Sequence, residues 1–202
     1  MKIDVLTADE SHFKYAEKII GLMNSSAKEK GTVIAVRSLD YITDKMANHK
    51  AVIALAEGRI LAGFSYIETW SHTKFVANSG LIVAPQFRGE GLARRIKKHI
   101  FDLSREMYPY AKIFSITTGL AVMKINSELG FRPVTLACLT DDKEFWEGCR
   151  GCQNYDLLKN NNYKICLCTA LLYDPKEHKT DKKESEKKAK GFYNRLKGLK
   201  IF

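Results

Sequence analysis

Between Leu81 and Ala93 the chain reads Leu-Ile-Val-Ala-Pro-Gln-Phe-Arg-Gly-Glu-Gly-Leu-Ala. An apolar strand runs into a turn with two close glycines and then opens a helix. No other segment constrains the fold as much. Gly89 and Gly91 allow positive φ and put no Cβ in the way of an approaching group. Backbone N–H groups at such a helix start can converge on an anion, and a pyrophosphate fits the geometry. Gln86 and Arg88 add side-chain donors beside it. Two familiar phosphate loops are excluded. A dinucleotide fingerprint needs three glycines after a first strand, and a Walker loop needs Gly-Lys-Ser/Thr where this chain has Gly91-Leu92.

The surrounding pattern is that of one α/β domain of ordinary size. Residues 2–6 alternate as a half-buried strand. Thr7 and Glu10 have capping-box spacing, and Phe13, Ala16, Ile19, Ile20 and Met23 recur at helical intervals. Ser38 caps a short helix marked by Leu39, Ile42 and Met46. Residues 51–57 and 60–70 flank Gly58-Arg59 as a hairpin, and 74–84 is a further strand. A helix then carries Leu92, Ile96, Ile100, Leu103 and Met107 on one face, with Arg94, Arg95, Lys97 and Lys98 on the others. Residues 112–117 form a strand. Val122, Ile125 and Leu129 mark a short helix closed by Gly130, and a strand follows at about 134–139. The order is β-α-α-β-β-β-α-β-α-β. Residues 141–163 read as a polar, irregular excursion, with 166–173 as a returning strand.

These motifs resemble the GCN5-related N-acetyltransferase superfamily. Its acyl-CoA loop runs Gln/Arg-x-x-Gly-x-Gly/Ala after a strand ending Val-x-Pro. Here Gln86-x-x-Gly89-x-Gly91 follows Val83-Ala84-Pro85, and Asn126-Ser-Glu-Leu-Gly-Phe131 is similar to the family's closing helix. The resemblance implies a mixed, mostly antiparallel sheet flanked by helices. It implies splayed strands at 74–84 and 112–118 with a pantetheine arm in the gap. Backbone groups of Ile82 and Val83 would meet that arm, and the N–H groups of Phe87 to Gly91, within a binding segment Gln86, Phe87, Arg88, Gly89, Glu90, Gly91, Leu92 and Ala93, would hold the pyrophosphate. An amine would then attack the thioester of acetyl-CoA, or another acyl-CoA, directly. The expected units are an acyl-CoA-binding domain over 1–140, a Cys-rich excursion and returning strand over 141–175, and a basic tail over 176–202.

An attacking ammonium must lose a proton. Many members carry a Glu just before the Val-x-Pro end, where this chain has Asn78-Ser79-Gly80. Glu68 is the alternative base, on one strand face with Tyr66 and Trp70, and His72 is a second candidate in the next loop. Where the family often has a tyrosine acid, alignment on Leu129-Gly130-Phe131 gives Asn126, which can donate a hydrogen bond to a leaving thiolate but no proton. His99 reads as packing. A narrower resemblance, to the acetyltransferase domain of N-acetylglutamate synthases, rests on Arg37-Ser38 before the second helix and Thr117-Thr118. It implies that Arg37, with Ser38, holds an amino acid's carboxylate by a bidentate fork. A surface salt bridge is the competing role for Arg37.

Cys149-x-x-Cys152 and Cys166-x-Cys168 give four thiols, the second two on one face of the returning strand. A structural zinc site, buried free thiols and a redox pair all remain open. The formal charge is +10, of which residues 176–202 carry ten Lys or Arg against four Asp or Glu. A weak polyanion contact is therefore a property of the tail. A non-catalytic binding module, using that tail for nucleic acid or a protein partner, is the alternative to the enzyme. No apolar run is long enough for a membrane helix, and no signal-peptide pattern opens the chain, so the expectation is a cytoplasmic protein. Its expected partners are a small-molecule amine or amino acid and, in a homodimer, a second copy.

Overall fold

The computed structural model describes residues 1–29 and 37–177. Seven strands form one sheet: β1 (Ile3–Thr7), β2 (Ala51–Ala56), β3 (Ile60–Trp70), β4 (Phe75–Val83), β5 (Lys112–Thr117), β6 (Arg132–Val134) and β7 (Thr169–Tyr173). Their order is β1-β2-β3-β4-β5-β7-β6. Every neighbouring pair is antiparallel except β4 and β5. The mixed, mostly antiparallel sheet is therefore as expected. The returning strand β7 lies inside the sheet, between β5 and β6.

Helices α1 (Ala16–Glu29) and α2 (Leu39–Ala47) cover one face of the sheet. Their apolar positions Ile19, Met23, Ile42 and Met46 bury against Ile53, Phe64 and Ile82. Helix α3 (Leu92–Met107) covers the other face and buries Ile96 and Ile100 against Val52, Ile67 and Val76. Truncating either isoleucine to alanine costs about 2–5 kcal/mol in such a core. Helix α4 (Leu120–Glu128) sits beside it, and Gly130 ends the turn after it at φ +89°.

Several sequence expectations need correction. The first helix begins as a 3-10 turn at Glu10–Tyr15 and is capped by Asp9, with His12 completing the capping box, rather than by Thr7 and Glu10. Thr7 is the last residue of β1 and pairs with Val52, so its backbone is already committed. The strand expected at 134–139 is only Arg132–Val134, and a 3-10 turn at Leu136–Cys138 replaces the rest. The excursion contains two short helices, α5 (Lys143–Glu147) and α6 (Tyr155–Asn160). They are organised by Trp146, whose indole N–H donates to the Thr140 carbonyl at 2.9 Å. Lys97, expected on a polar face of α3, is 1% exposed. The basic tail from residue 178 and the segment 30–36 lie outside the described residues. Among the described residues no helix is long and apolar enough to cross a membrane.

Candidate active site

The site is opened by a failure of pairing. β4 and β5 are parallel partners over three positions only, ending at Ala77 opposite Phe114. β4 then continues to Val83 alongside β3, and β5 continues to Thr117 alongside β7. Part of the reason lies in β4 itself. Gly80 is at φ +64°, where a Cβ would fall on the Tyr66 ring and the Met23 side chain. The β3–β4 register shifts between Phe64 and Tyr66. A bulge of this kind bends a strand away from its partner.

The glycine loop lies at the far end of that gap. Phe87 and Leu92 are buried and pin it at both sides. Gly89 and Gly91 have φ of +86° and +75°, and open space where a Cβ would stand. The loop's donors divide in two. Pro85 starts a 3-10 turn in which the Phe87 N–H donates to Ala84 O at 2.9 Å and the Arg88 N–H donates to Pro85 O at 3.2 Å. These two N–H groups are consumed, which corrects the expectation that all from Phe87 to Gly91 face an anion. The N–H groups of Gly89, Glu90 and Gly91 have no backbone acceptor among the described residues. They adjoin the first turn of α3, where Leu92 and Ala93 have no intrahelical acceptor either. Gln86 is exposed beside them. Arg88 instead folds back: its Nε donates to the Val83 carbonyl at 3.1 Å, and its Nη2 lies 3.5 Å from the Ser26 hydroxyl.

On the α1–α2 side, opposite the last β4–β5 pair, stands Glu68. Its register partner on β4 is Ala77. It is 5% exposed and accepts three hydrogen bonds. Arg37 Nη2 donates to Oε1 at 2.9 Å, the Tyr41 hydroxyl donates to the same oxygen, and the Ser79 hydroxyl donates to Oε2 at 2.6 Å. Arg37 also donates from Nε to the Tyr66 hydroxyl at 2.9 Å and lies 4.8 Å from the centre of the Tyr41 ring. Three donors thus converge on the Glu68 carboxylate. Burial and its negative charge push both phenols up, Tyr66 to about 12 and Tyr41 further. Of the two roles weighed for Arg37, the salt bridge is present, but with a buried Glu68 and not on open surface. Ser38 Oγ accepts the Tyr41 N–H at 3.1 Å as the cap of α2, so its hydroxyl serves to seat Tyr41.

The remaining candidates separate. His72 is exposed on the turn after β3, which is clamped away from the gap by the Ser71–Thr140 hydroxyl contact at 2.7 Å. Trp70 shares the Glu68 face but packs edge-on against Phe145. His99 is half-buried and shares a 3.0 Å hydrogen bond with the Thr7 hydroxyl.

On the α3–α4 side two polar groups stand out, one of them unnoticed in the sequence. Asn126 is fully buried, and neither its amide nitrogen nor its oxygen has a partner. Lys97 lies on α3 with its Nζ 3.4 Å from Asn78 Oδ1 and over the Phe131 ring. Burial brings its pKa down to about 7. Its neighbours Arg94, Arg95 and Lys98 are basic and, like it, stood off the apolar stripe, so no sequence signal separated Lys97 from them.

The cysteines also gather. Cys149, Cys152, Cys166 and Cys168 line one pocket with Trp146 and Leu158, and none is in a disulfide. Among the described residues no group of three or more His, Cys, Asp or Glu is arranged to hold a metal ion as it stands.

With this geometry in hand, comparison with known proteins is informative. The model of the acetyltransferase (GNAT) family matches residues 16–123. N-acetylglutamate synthase from Neisseria gonorrhoeae, solved with coenzyme A and N-acetyl-glutamate, superposes with a TM-score of 0.61 at 18% identity, over 86% of this chain and 35% of that one. Rv2747 of Mycobacterium tuberculosis, solved with CoA, gives 0.60 at 14% identity over 85% and 98%. yncA of Salmonella typhimurium, solved with acetyl-CoA, gives 0.57 at 12% over 87% and 95%. At such identities the likeness is one of fold. The chain spans about a third of the length of the synthase. No curated protein matches it.

Proposed function

The chain belongs to the acetyltransferase (GNAT) family, and from that premise we propose that it moves an acyl group, acetyl first, from a CoA thioester to the amine of a small molecule or amino acid. The observation that carries this reading is the parting of β4 from β5 after Ala77, with a loop of unbonded N–H groups at the end of the gap. A thioester bound there supplies an activated acyl carbon.

Each residue then has a task. The N–H groups of Gly89, Glu90 and Gly91, with those of Leu92 and Ala93, receive the pyrophosphate at the positive end of α3. Ile82 and Val83 offer backbone groups along the arm, and Arg88 yields the Val83 carbonyl that it now holds. Asn126 turns its unpartnered amide to the sulfur or the adjoining amide, so that a buried polar group costly to leave unpaired gains its partner. Glu68 draws the acceptor's ammonium and takes its proton on the face of Oε2 that Ser79 leaves open. Arg37 uses donors not committed to Tyr66 and Glu68 for the acceptor's carboxylate. The amine nitrogen bonds the acyl carbon, the carbon–sulfur bond breaks, and the thiolate leaves in the hydrogen bond of Asn126 and is protonated by solvent.

A thermal-shift titration with acetyl-CoA, succinyl-CoA and free CoA, repeated with a panel of amino acids, tests this. A ligand at about a hundred times its Kd adds roughly 2.7 kcal/mol. The expected result is a shift with acetyl-CoA that Gly91→Val abolishes, and acceptor-dependent acetyl-CoA consumption whose KM for amino acids rises in Arg37→Ala. No shift with any CoA species would sink the reading.

A further inference from the structure

Residues 135–168 form a cover over the β5–β7–β6 end of the sheet. Its apolar contacts are Trp146 and Leu158 buried with Phe114 and Ala170, and Phe145 edge-on to Phe114 at 5.0 Å. The helices in this cover have five and six residues, too short to be stable on their own. Something beyond local propensity must hold it.

The four cysteines are placed to do so. Cys149 follows α5, with its N–H on the Trp146 carbonyl at 3.0 Å. The Cys152 N–H closes the next turn onto the Cys149 carbonyl at 2.8 Å. The first pair therefore rides on one tight knuckle. Cys166 and Cys168 stand just ahead of β7, on either side of Leu167. All four reach one pocket whose lining holds no charged side chain. Its free space, about 30 Å³, takes a single body of water size.

We propose that Cys149, Cys152, Cys166 and Cys168 bind one ion of the zinc class as a four-thiolate site that staples the cover to the start of β7. Binding releases four thiol protons to solvent as four sulfur–metal bonds form. The arrangement with no ion present is not yet a ligand set, so binding requires the sulfurs to turn inward about their Cα–Cβ bonds. Cys138, exposed and outside the pocket, takes no part. The proposal is independent of the acyl-transfer reading.

The test uses the full chain, expressed with zinc in the medium and purified without chelator or metal-affinity resin. Elemental analysis is expected to find about one zinc per chain, retained through gel filtration. Cys149→Ser combined with Cys166→Ser should lower it at least about tenfold, the lower end of what losing a supporting group alone costs a metal site. Cys138→Ser should leave it unchanged. If the double variant fails to fold, the wild-type chain still decides. Replacing the metal with cobalt should give thiolate-to-cobalt charge-transfer and tetrahedral ligand-field bands, and blocking thiols with a mercurial should release the zinc. A chain that takes up no zinc, with every thiol free to react in the folded state, would overturn the proposal and leave the cysteines as packing. So would a disulfide between any two of the four in the protein as isolated.

Discussion

Buried polar groups flank the opening in the sheet on both faces, and the two faces treat them oppositely. On the α1–α2 side Glu68 is held by Arg37, Tyr41 and Ser79. On the α3–α4 side Asn126 has no partner at all, and Lys97 has a single long contact to Asn78. Leaving a buried polar atom unpaired costs about 1–3 kcal/mol. In the proposed reaction this difference has a use: Glu68 and its partners are held ready for an acceptor, and Asn126 gains its partner from the thioester arm.

The sharpest way to break this contrast is to damage the satisfied side. Glu68→Ala strands a half-buried guanidinium and two hydroxyls, and chemical denaturation should show a loss of about 3–5 kcal/mol. Joint replacement of Arg37 and Glu68 by methionine should cost less than the two single changes summed. Next comes Lys97. Its folded pKa of about 7 lies below the ordinary 10.5, so between these values the unfolded chain binds more protons. Stability should therefore rise with pH across that window, by up to about 1.4 kcal/mol per unit where the difference is a whole proton. Lys97→Met should flatten that rise in melts between pH 7 and 9. The smallest effect falls on Asn126. Asn126→Leu should leave the free chain as stable or about 1 kcal/mol more stable, while the thermal shift with acetyl-CoA shrinks. A loss of stability with an undiminished shift would mean that Asn126 is structural and the contrast between the two faces does not hold.

Much of this was legible in residue order. The glycine loop after Val83-Ala84-Pro85, the Ser38 cap and the hairpin about Gly58 each follow from short-range rules of backbone freedom and side-chain reach. The pairing of Arg37 with Glu68 was not legible, because they are separated by thirty-one positions and meet only across a helix start and a strand. The excursion at 141–163 looked irregular because its order comes from Trp146 and Phe145 packing on the sheet, which leaves no periodic trace in so short a segment. The consumed N–H groups of Phe87 and Arg88 depend on the 3-10 turn that Pro85 starts, a conformation the glycine spacing does not specify.

The order of amino acids by itself determined most of the elements, the glycine turn and the family, since these rest on local backbone chemistry. Only the tertiary structure decided that Lys97, among a run of basic neighbours, is the one buried, that Asn126 is left without a partner, and that four cysteines from two short segments share one pocket. Burial and long-range contact are properties of packing, and packing depends on residues far away along the chain.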